Sequence, residues 1–253
     1  MTIGRETKLL FQRKLLEFFR QPVWVVVGLA TPLLYLALFS PLLTSLAGGA
    51  GFARGSILDV FVPGILVLMA FGAGMGAGWI AIWELNTGVI ERLSVTPVSR
   101  FALLLGTVLR DVVTFIVPAL LVILAAIPFG FDPHWAGIVV MLVLLSLVTA
   151  IVSAWSGALG ILLGDIGSLA SIVTGLQLPL TLLAGILLPL SLAPGWMVML
   201  AHLDPLYYAV EAARDLSAGR LASATVAEGF GVLGALTVVT LWWATRVYRR
   251  ALA

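Results

Sequence analysis

Long apolar runs separated by short polar stretches make up most of this sequence. A helix that crosses a bilayer needs about 20 mostly apolar residues. Six segments meet this requirement, at residues 22–46, 59–82, 101–127, 135–163, 169–190 and 226–248. Three further segments lie outside these runs, at residues 3–20, 83–100 and 191–225. The pattern predicts an all-α integral membrane protein with six transmembrane helices, built as a single transmembrane domain over residues 1–253.

The longest markedly polar interruption is the segment at 83–100, WELNTGVIERLSVTPVSR. We predict a turn at Gly88 and a short helix that ends before Pro97, because the residue preceding a proline is disfavoured in the α region. A short amphipathic helix at the membrane–water boundary, held between two spans, is the simplest interpretation. Such an element is well placed to transmit force between a membrane domain and a partner in the cytoplasm.

Residues 3–20 show the periodicity of an amphipathic helix. Apolar and charged side chains fall on opposite faces, the first set being Phe11, Leu15, Phe18 and Phe19 and the second Arg13, Lys14, Glu17 and Arg20. We predict an interfacial helix along the cytoplasmic surface of the membrane, with a solvated basic leader as the alternative. A cleaved signal peptide is disfavoured, because acidic residues lie among the basic ones and the following apolar run is about twice as long as an h-region.

The composition agrees with a membrane protein, since 61% of the 253 residues are hydrophobic and 10% are charged. Soluble domains are about one-quarter charged. The formal net charge of +2 is too small to indicate a nucleic-acid partner. The absence of cysteine excludes disulfides and cysteine-ligated zinc. His134 and His202 are far apart in sequence and lie in predicted loops, so no metal site is predicted.

Basic residues in short loops indicate the orientation of a membrane protein. The N-terminal segment, the 83–100 segment and the C-terminal tail together carry Arg5, Lys8, Arg13, Lys14, Arg20, Arg92, Arg100, Arg246, Arg249 and Arg250. The opposite side carries only Arg54, Arg214 and Arg220. We therefore expect a multi-pass protein with both termini and the 83–100 segment in the cytoplasm.

Small residues mark two of the predicted spans. The second span carries two overlapping Gly-x-x-x-Gly pairs, and the fourth carries a stripe of small side chains; the two sets are Gly72, Gly74, Gly76 and Gly78, and Thr149, Ser153, Gly157 and Gly160. Small residues allow helix backbones to approach closely within a membrane. We interpret both sets as packing within one bundle, with a dimer or pathway face as the alternative.

Few ionisable groups lie within the predicted spans. Arg110 and Asp111 lie about two turns into the third span. An ionisable group in a span is a functional-site hypothesis by default. The alternative is that Arg110 extends to the interface or pairs with a carboxylate.

The segment at 191–225, together with the end of the fifth span, is broken by prolines yet is too apolar for open water. A re-entrant or interfacial helical hairpin on the outer side fits this composition, provided that its freed backbone groups face protein or a water-filled cavity. Trp196, Tyr207 and Tyr208 are suited to the headgroup level.

Motifs of nucleotide binding and of catalysis are missing from the sequence. There is no Gly-x-x-x-x-Gly-Lys-Ser/Thr motif, and the only lysines are Lys8 and Lys14. No metalloprotease helix, nucleophile elbow or redox dithiol motif occurs either. We therefore expect no P-loop nucleotide site on this chain, and if the protein works against a gradient, the energy enters through a partner or through an ion.

Two motifs carry a resemblance to a known family. The first is GVIERL at 88–93, followed by VTPVSR at 95–100 and by Gly106. The second begins at Gly185 and contains Pro189, Pro194, Trp196, Pro205, Tyr207, Tyr208 and Arg214. In this order, and with six spans, they resemble the membrane permease subunit of ABC-2-type exporters, the group that includes the daunorubicin-resistance-type multidrug permeases.

The resemblance implies a role for each motif. Residues 83–100 would form the coupling helix loop that docks on a separate ABC ATPase subunit, through Glu84, Gly88, Glu91, Arg92, Pro97 and Arg100. Two permease copies, identical or closely paralogous, would work with two ATPases that bind ATP and Mg, so no cofactor is expected on this chain. The substrate pathway would include Thr174, Gln177 and Thr181. Membrane lipid would surround the spans, and the expected location is the bacterial cytoplasmic membrane.

Three functions remain open at this stage. The first is an ATP-driven exporter of a lipophilic drug, lipid or glycolipid, with a polysaccharide exporter as its variant. The second is an ion-driven secondary transporter, which the scarcity of intramembrane carboxylates disfavours. The third is a membrane scaffold or insertion factor that transports nothing.

Overall fold

The computed structural model describes residues 3–20, 28–38, 56–94, 99–186 and 193–251, and these residues are helical apart from short turns. The helices in chain order are α1 (Ile3–Phe19), α2 (Gly28–Leu38), α3 (Ser56–Asn86), α4 (Val89–Ser94), α5 (Arg100–Ala126), α6 (Trp135–Leu163), α7 (Ile166–Leu183), α8 (Gly195–Ala201), α9 (Pro205–Ser217) and α10 (Ala224–Ala251). A 3₁₀ turn at Ile127–Phe129 extends α5. The predicted all-α class is confirmed for the described part of the chain.

Five of the described helices, α3, α5, α6, α7 and α10, are long and apolar enough to cross a membrane. They correspond to the second to sixth predicted spans, and α6 has the predicted bounds of 135–163. The short apolar helix α2 lies inside the first predicted span, 22–46, whose other residues are outside the described ranges. The count of six spans therefore stays a prediction.

Two helix ends differ from the predicted bounds by four residues or more. Helix α3 continues to Asn86, four residues beyond the predicted end, and Gly88 with a φ of 68° follows it. Helix α7 ends at Leu183, well before the predicted position 190, and Gly185 with a φ of 66° follows it. Glycine adopts positive φ without the steric cost that a side chain brings. The positions of these two glycines therefore define the ends of α3 and α7 more accurately than the hydropathy pattern does.

Helices α3 and α6 form the centre of the bundle, where their backbones approach closely. A Cβ at Gly74 would lie 2.7 Å from the amide nitrogen of Ser153, and one at Gly78 would lie 2.7 Å from the carbonyl oxygen of Ser156. The Ser156 hydroxyl donates to the carbonyl oxygen of Met75 at 2.7 Å and accepts from the amide of Gly78 at 3.1 Å. The predicted packing within one bundle is therefore confirmed for Gly74 and Gly78.

The second glycine pair of α3 has different surroundings. A Cβ at Gly72 or Gly76 would meet no described atom within 4 Å. Gly72 is exposed and Gly76 is half-buried. These two glycines therefore lie on a face of α3 that α6 does not cover.

Helix α9 packs its apolar face against α3, α6 and α10. Its last turn lies beside a position in α3 where one helical hydrogen bond is missing. Pro63 has no N–H, so the carbonyl oxygen of Asp59 has no donor within the helix. The hydroxyl of Ser217 lies within hydrogen-bond distance of that carbonyl oxygen, at 3.1 Å, and equally close to the carbonyl oxygen of Arg214 in its own helix. One turn earlier, the guanidinium of Arg214 donates to the carbonyl oxygen of Gly185 at 2.7 Å. The end of α9 thus joins the start of α3 to the end of α7.

Candidate functional site

The predicted coupling segment, residues 83–100, forms a short connection between the two long helices α3 and α5. Helix α3 ends at Asn86, and the left-handed Gly88 turns the chain into the six-residue helix α4. Residues 95–98 lie outside the described ranges. Ser99 then caps α5, and its hydroxyl accepts from the amide of Ala102. Because the turn at 87–88 is only two residues long, α4 is held close to the end of α3.

Helix α1 contacts the chain on both sides of this connection. The ammonium nitrogen of Lys14 lies 3.0 Å from Oε1 of Glu84, at the end of α3. The carboxylate of Glu6 accepts a hydrogen bond of 3.0 Å from the amide of Ser99, at the start of α5. All three charged side chains are buried, with residue exposures of 6 to 7%. Helix α1 is therefore attached to the chain both before and after α4, and we call these two contacts the brace.

The position of Lys14 differs from the predicted assignment of residues to the two faces of α1. The sequence pattern placed it on the charged, solvent-facing side, but it is buried and lies one helical turn from the buried Leu10. Arg13 and Glu17 do lie on the exposed side, paired with each other at 2.9 Å. The charged face of α1 is thus narrower than predicted, and Lys14 belongs to the face that packs on the bundle.

The residues predicted to couple the chain to an ATPase occupy different environments. Glu84 is 7% exposed and is held by Lys14, so it faces the bundle. Gly88 forms the predicted turn. Arg92 is exposed on α4, whereas Arg100 is half-buried in the first turn of α5. The side chain of Glu91 and the whole of Pro97 lie outside the described residues. Of the described members, Arg92 offers the most accessible charge.

The predicted intramembrane pair, Arg110 and Asp111, forms a buried ion pair. The guanidinium Nε of Arg110 donates to Oδ1 of Asp111 at 2.9 Å, and the second carboxylate oxygen accepts a 2.6 Å hydrogen bond from the hydroxyl of Ser153. Arg110 is 7% exposed and Asp111 is 1% exposed. Of the two alternatives raised above, extension to the interface or pairing with a carboxylate, the structure shows the pairing.

The two ion pairs belong to one electrostatic cluster. Asp111 interacts electrostatically with Lys14, and Tyr248 interacts with Glu84, Arg110 and Asp111. The cluster holds two cationic and two anionic side chains, so its formal charges cancel. It connects α1, α3, α5 and α10, and Ser153 adds α6. Five helices therefore meet at buried polar groups near the coupling segment.

Lys14, Ser153 and Tyr248 were not among the predicted site residues. Ser153 had been noted only as a small packing residue, and Tyr248 only as the end of a span. The spacing of Lys14 could have indicated that it is buried. It lies seven residues after Thr7 and four residues after Leu10, and all three residues fall on one buried stripe of α1. Nothing in the sequence indicates its partner, which lies 70 residues away.

Comparison with known proteins identifies the family. Residues 5–216 match the family described as ABC-2 type transporter, and this range covers more than half of the chain. The chain belongs to the ABC-2 type transporter family. The resemblance drawn from the two motifs is therefore confirmed.

Individual relatives are similar to this ABC-2 chain over most of its length. The "Putative transport permease ycf38" of Cyanophora paradoxa is 28% identical over 214 residues, which cover 84% of this chain and 74% of the relative. The protein of the same name from Porphyra purpurea is 26% identical over the same shares. The "Daunorubicin resistance ABC transporter permease protein DrrB1" of Streptomyces coeruleorubidus is 26% identical over 241 residues, covering 94% of this chain and 83% of the relative.

The predicted pathway residues of this ABC-2 chain lie on α7, which is mostly exposed. Thr174 is exposed, and Gln177 and Thr181 are half-buried. The hydroxyl of Thr181 donates to the carbonyl oxygen of Gln177 at 2.8 Å, so it is satisfied within its own helix. The three side chains recur at helical spacing along one stripe of α7, and their role in transport stays a prediction.

The second motif of the ABC-2 chain includes α8, α9 and the turn between them. Pro194 precedes α8, and Trp196 is 65% exposed. Pro205 occupies the first position of α9, and the hydroxyl of Tyr208 donates to the carbonyl oxygen of His202 at 3.1 Å. Tyr207 lies against the His202 ring with centroids 4.9 Å apart. Pro189 lies outside the described residues, and the re-entrant path of this segment stays a prediction.

Proposed function

We propose that this ABC-2 chain is the permease subunit of an ATP-driven exporter, which moves a lipophilic drug, lipid or glycolipid across the cytoplasmic membrane. A separate ATPase subunit docks on the coupling segment. The observation that supports the proposal best is the brace, in which Lys14–Glu84 and Glu6–Ser99 tie α1 to both sides of α4. A partner that displaces α4 acts on two spanning helices at once, because α3 and α5 leave the same braced junction.

The brace offers a route from the docking surface to the transport pathway. Force on α4 reaches α3 through the short turn at Gly88, and α3 is in close backbone contact with α6 through Gly74 and Gly78. Coupling between sites requires an element with two states that both sites bias. We propose that the element is the α3–α6 pair, moving as a unit with the buried ion pairs beside it.

A second permease copy completes the proposed transporter. The described residues leave part of α3 uncovered, along a stripe that includes Gly72, Gly76 and Trp83. Trp83 is 56% exposed, and α7 buries little of its surface. Apolar surface of this kind packs against lipid or against another helix, and small residues favour the second. The pathway between two copies would then include the Thr174, Gln177 and Thr181 stripe.

Two observations support the proposed substrate class, namely the apolar character of the described spans and the name of one relative. The described spans carry few charges, and an apolar pathway with a few hydroxyl and amide groups suits a lipophilic compound. The relative from Streptomyces coeruleorubidus is named for daunorubicin resistance, which agrees with this class. A polysaccharide substrate is the alternative within the same mechanism.

Docking is tested by reconstituting the chain with the ATPase encoded beside it. We expect the permease to bind that ATPase and to change its rate of ATP hydrolysis. The double substitution Glu91→Ala and Arg92→Ala should weaken binding at least tenfold. The matched control is Arg13→Ala with Glu17→Ala, an exposed charge pair on α1, which should leave binding unchanged.

Transport assays on lipid vesicles that contain the chain together with this ATPase distinguish the competing mechanisms. An ATP-driven exporter loses transport of a fluorescent lipophilic dye when ATP is depleted and keeps it when the membrane potential is collapsed. Transport that follows the potential and survives ATP depletion would show an ion-driven transporter. Failure of both modes, with a correctly inserted and monodisperse protein, would favour a scaffold.

A further inference from the structure

Helix α1 turns one face to the bundle and a second face away from the rest of the described chain. The bundle face carries Glu6, Leu10 and Lys14, which are buried. On the second face Leu9 is 52% exposed and Leu16 is 60% exposed. The two leucines are about two helical turns apart, so they lie on one stripe. Exposed leucines in a stripe of this kind are typical of a helix that contacts a membrane.

Basic side chains flank the two leucines. Arg5 lies one turn before Leu9 and Arg20 lies one turn after Leu16, so a cation occupies each end of the stripe. Lys8 is exposed beside Leu9. None of these three cations has a carboxylate partner among the described residues. The second face therefore carries positive charge that the described part of the chain does not neutralise.

The contacts of α1 locate this second face at the membrane boundary. Lys14 pairs with Glu84 at the end of α3, and Glu6 accepts from the amide of Ser99 at the start of α5. Both partners lie where a helix that is long and apolar enough to cross a membrane ends or begins. Helix α1 therefore lies at the level at which these two helices leave the bilayer, and cations at that level are close to the lipid phosphates.

We propose that the second face of α1 binds anionic phospholipids of the surrounding membrane. Leu9 and Leu16 enter the boundary between headgroups and acyl chains, and Arg5, Lys8 and Arg20 pair with the phosphate groups around them. Charge complementarity favours an anionic lipid over a zwitterionic one, by about fivefold for each basic side chain near the surface. Helix α1 is then held on both faces, by the brace on one side and by lipid on the other.

The test measures which lipid lies next to α1 in the full chain. Gln12→Cys introduces a single thiol at an exposed position between the two leucines. The thiol is labelled with bimane, whose fluorescence a nitroxide quenches on contact. The labelled chain is reconstituted in nanodiscs of phosphatidylcholine and phosphatidylglycerol. A nitroxide near the top of the acyl chain is carried by phosphatidylglycerol in one sample and by phosphatidylcholine in the other, at equal mole fraction.

We expect the phosphatidylglycerol nitroxide to quench the label about fivefold more efficiently at low salt. The difference should shrink as added salt screens the charges. Arg5→Gln, Lys8→Gln and Arg20→Gln together should make the two nitroxides equivalent. The matched control is Arg13→Gln with Glu17→Gln, which removes an exposed pair of opposite charges from the same helix. Because the net charge of α1 is unchanged, this control should keep the preference.

Three results would overturn the proposal. The first is equal quenching by the two nitroxides when all cations of α1 are present. The second is a preference for phosphatidylglycerol that survives removal of Arg5, Lys8 and Arg20. The third is no quenching by either nitroxide, which would show that protein, a second copy or the ATPase, covers this face. No ATPase is present in the nanodiscs, so the outcome is independent of the docking experiment.

Discussion

Lys14 and Glu84, 70 residues apart in sequence, form a buried ion pair in which the ammonium nitrogen lies 3.0 to 3.1 Å from the carboxylate oxygens. The pair joins the N-terminal helix α1 to the end of the spanning helix α3. Burial of two charges costs as much as their attraction returns, so such a pair contributes little net stability. Its effect is to fix where α1 lies, and α1 in turn holds the junction from which α4 leaves the bundle.

Removing one partner of this pair should destabilise the protein more than removing both. Glu84→Leu leaves the Lys14 ammonium buried without its partner, and the expected cost is about 3 kcal/mol. The double variant Lys14→Met with Glu84→Leu should recover most of that loss. The measurement is a double-mutant cycle on the thermal midpoint in detergent. Arg13→Met with Glu17→Leu is the exposed control and should show coupling below about 1 kcal/mol.

The two glycine pairs of α3 should respond differently to alanine. Gly74→Ala places a Cβ 2.7 to 2.8 Å from backbone and side-chain atoms of α6, so we expect a loss of about 1 to 3 kcal/mol. Gly72→Ala meets no described atom within 4 Å and should stabilise α3 by about 0.5 to 1 kcal/mol. Thermal midpoints of the two variants check this. Equal effects would mean that α3 does not pack on α6 through Gly74.

Local periodicity predicts the spans well but does not predict their partners. Helix α6 appears with its predicted bounds, because an uninterrupted apolar run leaves no competing ending before Gly164. The assignment of Lys14 to solvent was wrong, since a charged residue on an amphipathic helix is placed outside unless its partner is known. That partner is Glu84, and only the tertiary fold brings it near. Asp111 and Ser153, 42 residues apart, meet for the same reason.

Orientation in the membrane is tested with single cysteines, because the chain contains none of its own. Arg92→Cys and Trp196→Cys introduce unique thiols at exposed positions of α4 and α8. If the distribution of basic residues sets the orientation, an impermeant maleimide added to intact cells should label position 196 and spare position 92. Cell lysis should expose both thiols. Labelling of position 92 from outside the cells would contradict the docking of an ATPase on α4.

The hydrogen bond from Ser217 of α9 to α3 should matter only because Pro63 cannot donate to the same carbonyl oxygen. Ser217→Ala removes the hydroxyl that satisfies the Asp59 carbonyl, so we expect a loss of about 1 to 2 kcal/mol. Pro63→Ala restores an amide at position 63, which donates to the same carbonyl within the helix. In that background Ser217→Ala should cost markedly less. Additive costs in thermal unfolding would show that the two groups do not share this acceptor.

Protonation of the buried Asp204 carboxyl should make the segment formed by α8 and α9 more stable in mild acid. Burial raises the pKa of its carboxyl from the usual 3.8 to about 6, so the folded protein holds the proton more tightly than the unfolded chain does. This contribution is complete below pH 3.8 and is lost as the pH rises through 6. Between pH 5 and pH 7.5 the expected loss is about 1 kcal/mol.

Hydrogen exchange of α9, corrected for the intrinsic pH dependence of exchange, measures this loss. Asp204→Asn has no titrating carboxyl but keeps an oxygen that accepts from the amide of Leu206, so capping is preserved while the pH dependence should vanish. An unchanged slope in Asp204→Asn would mean that the buried carboxyl is not the group that makes this segment sensitive to pH.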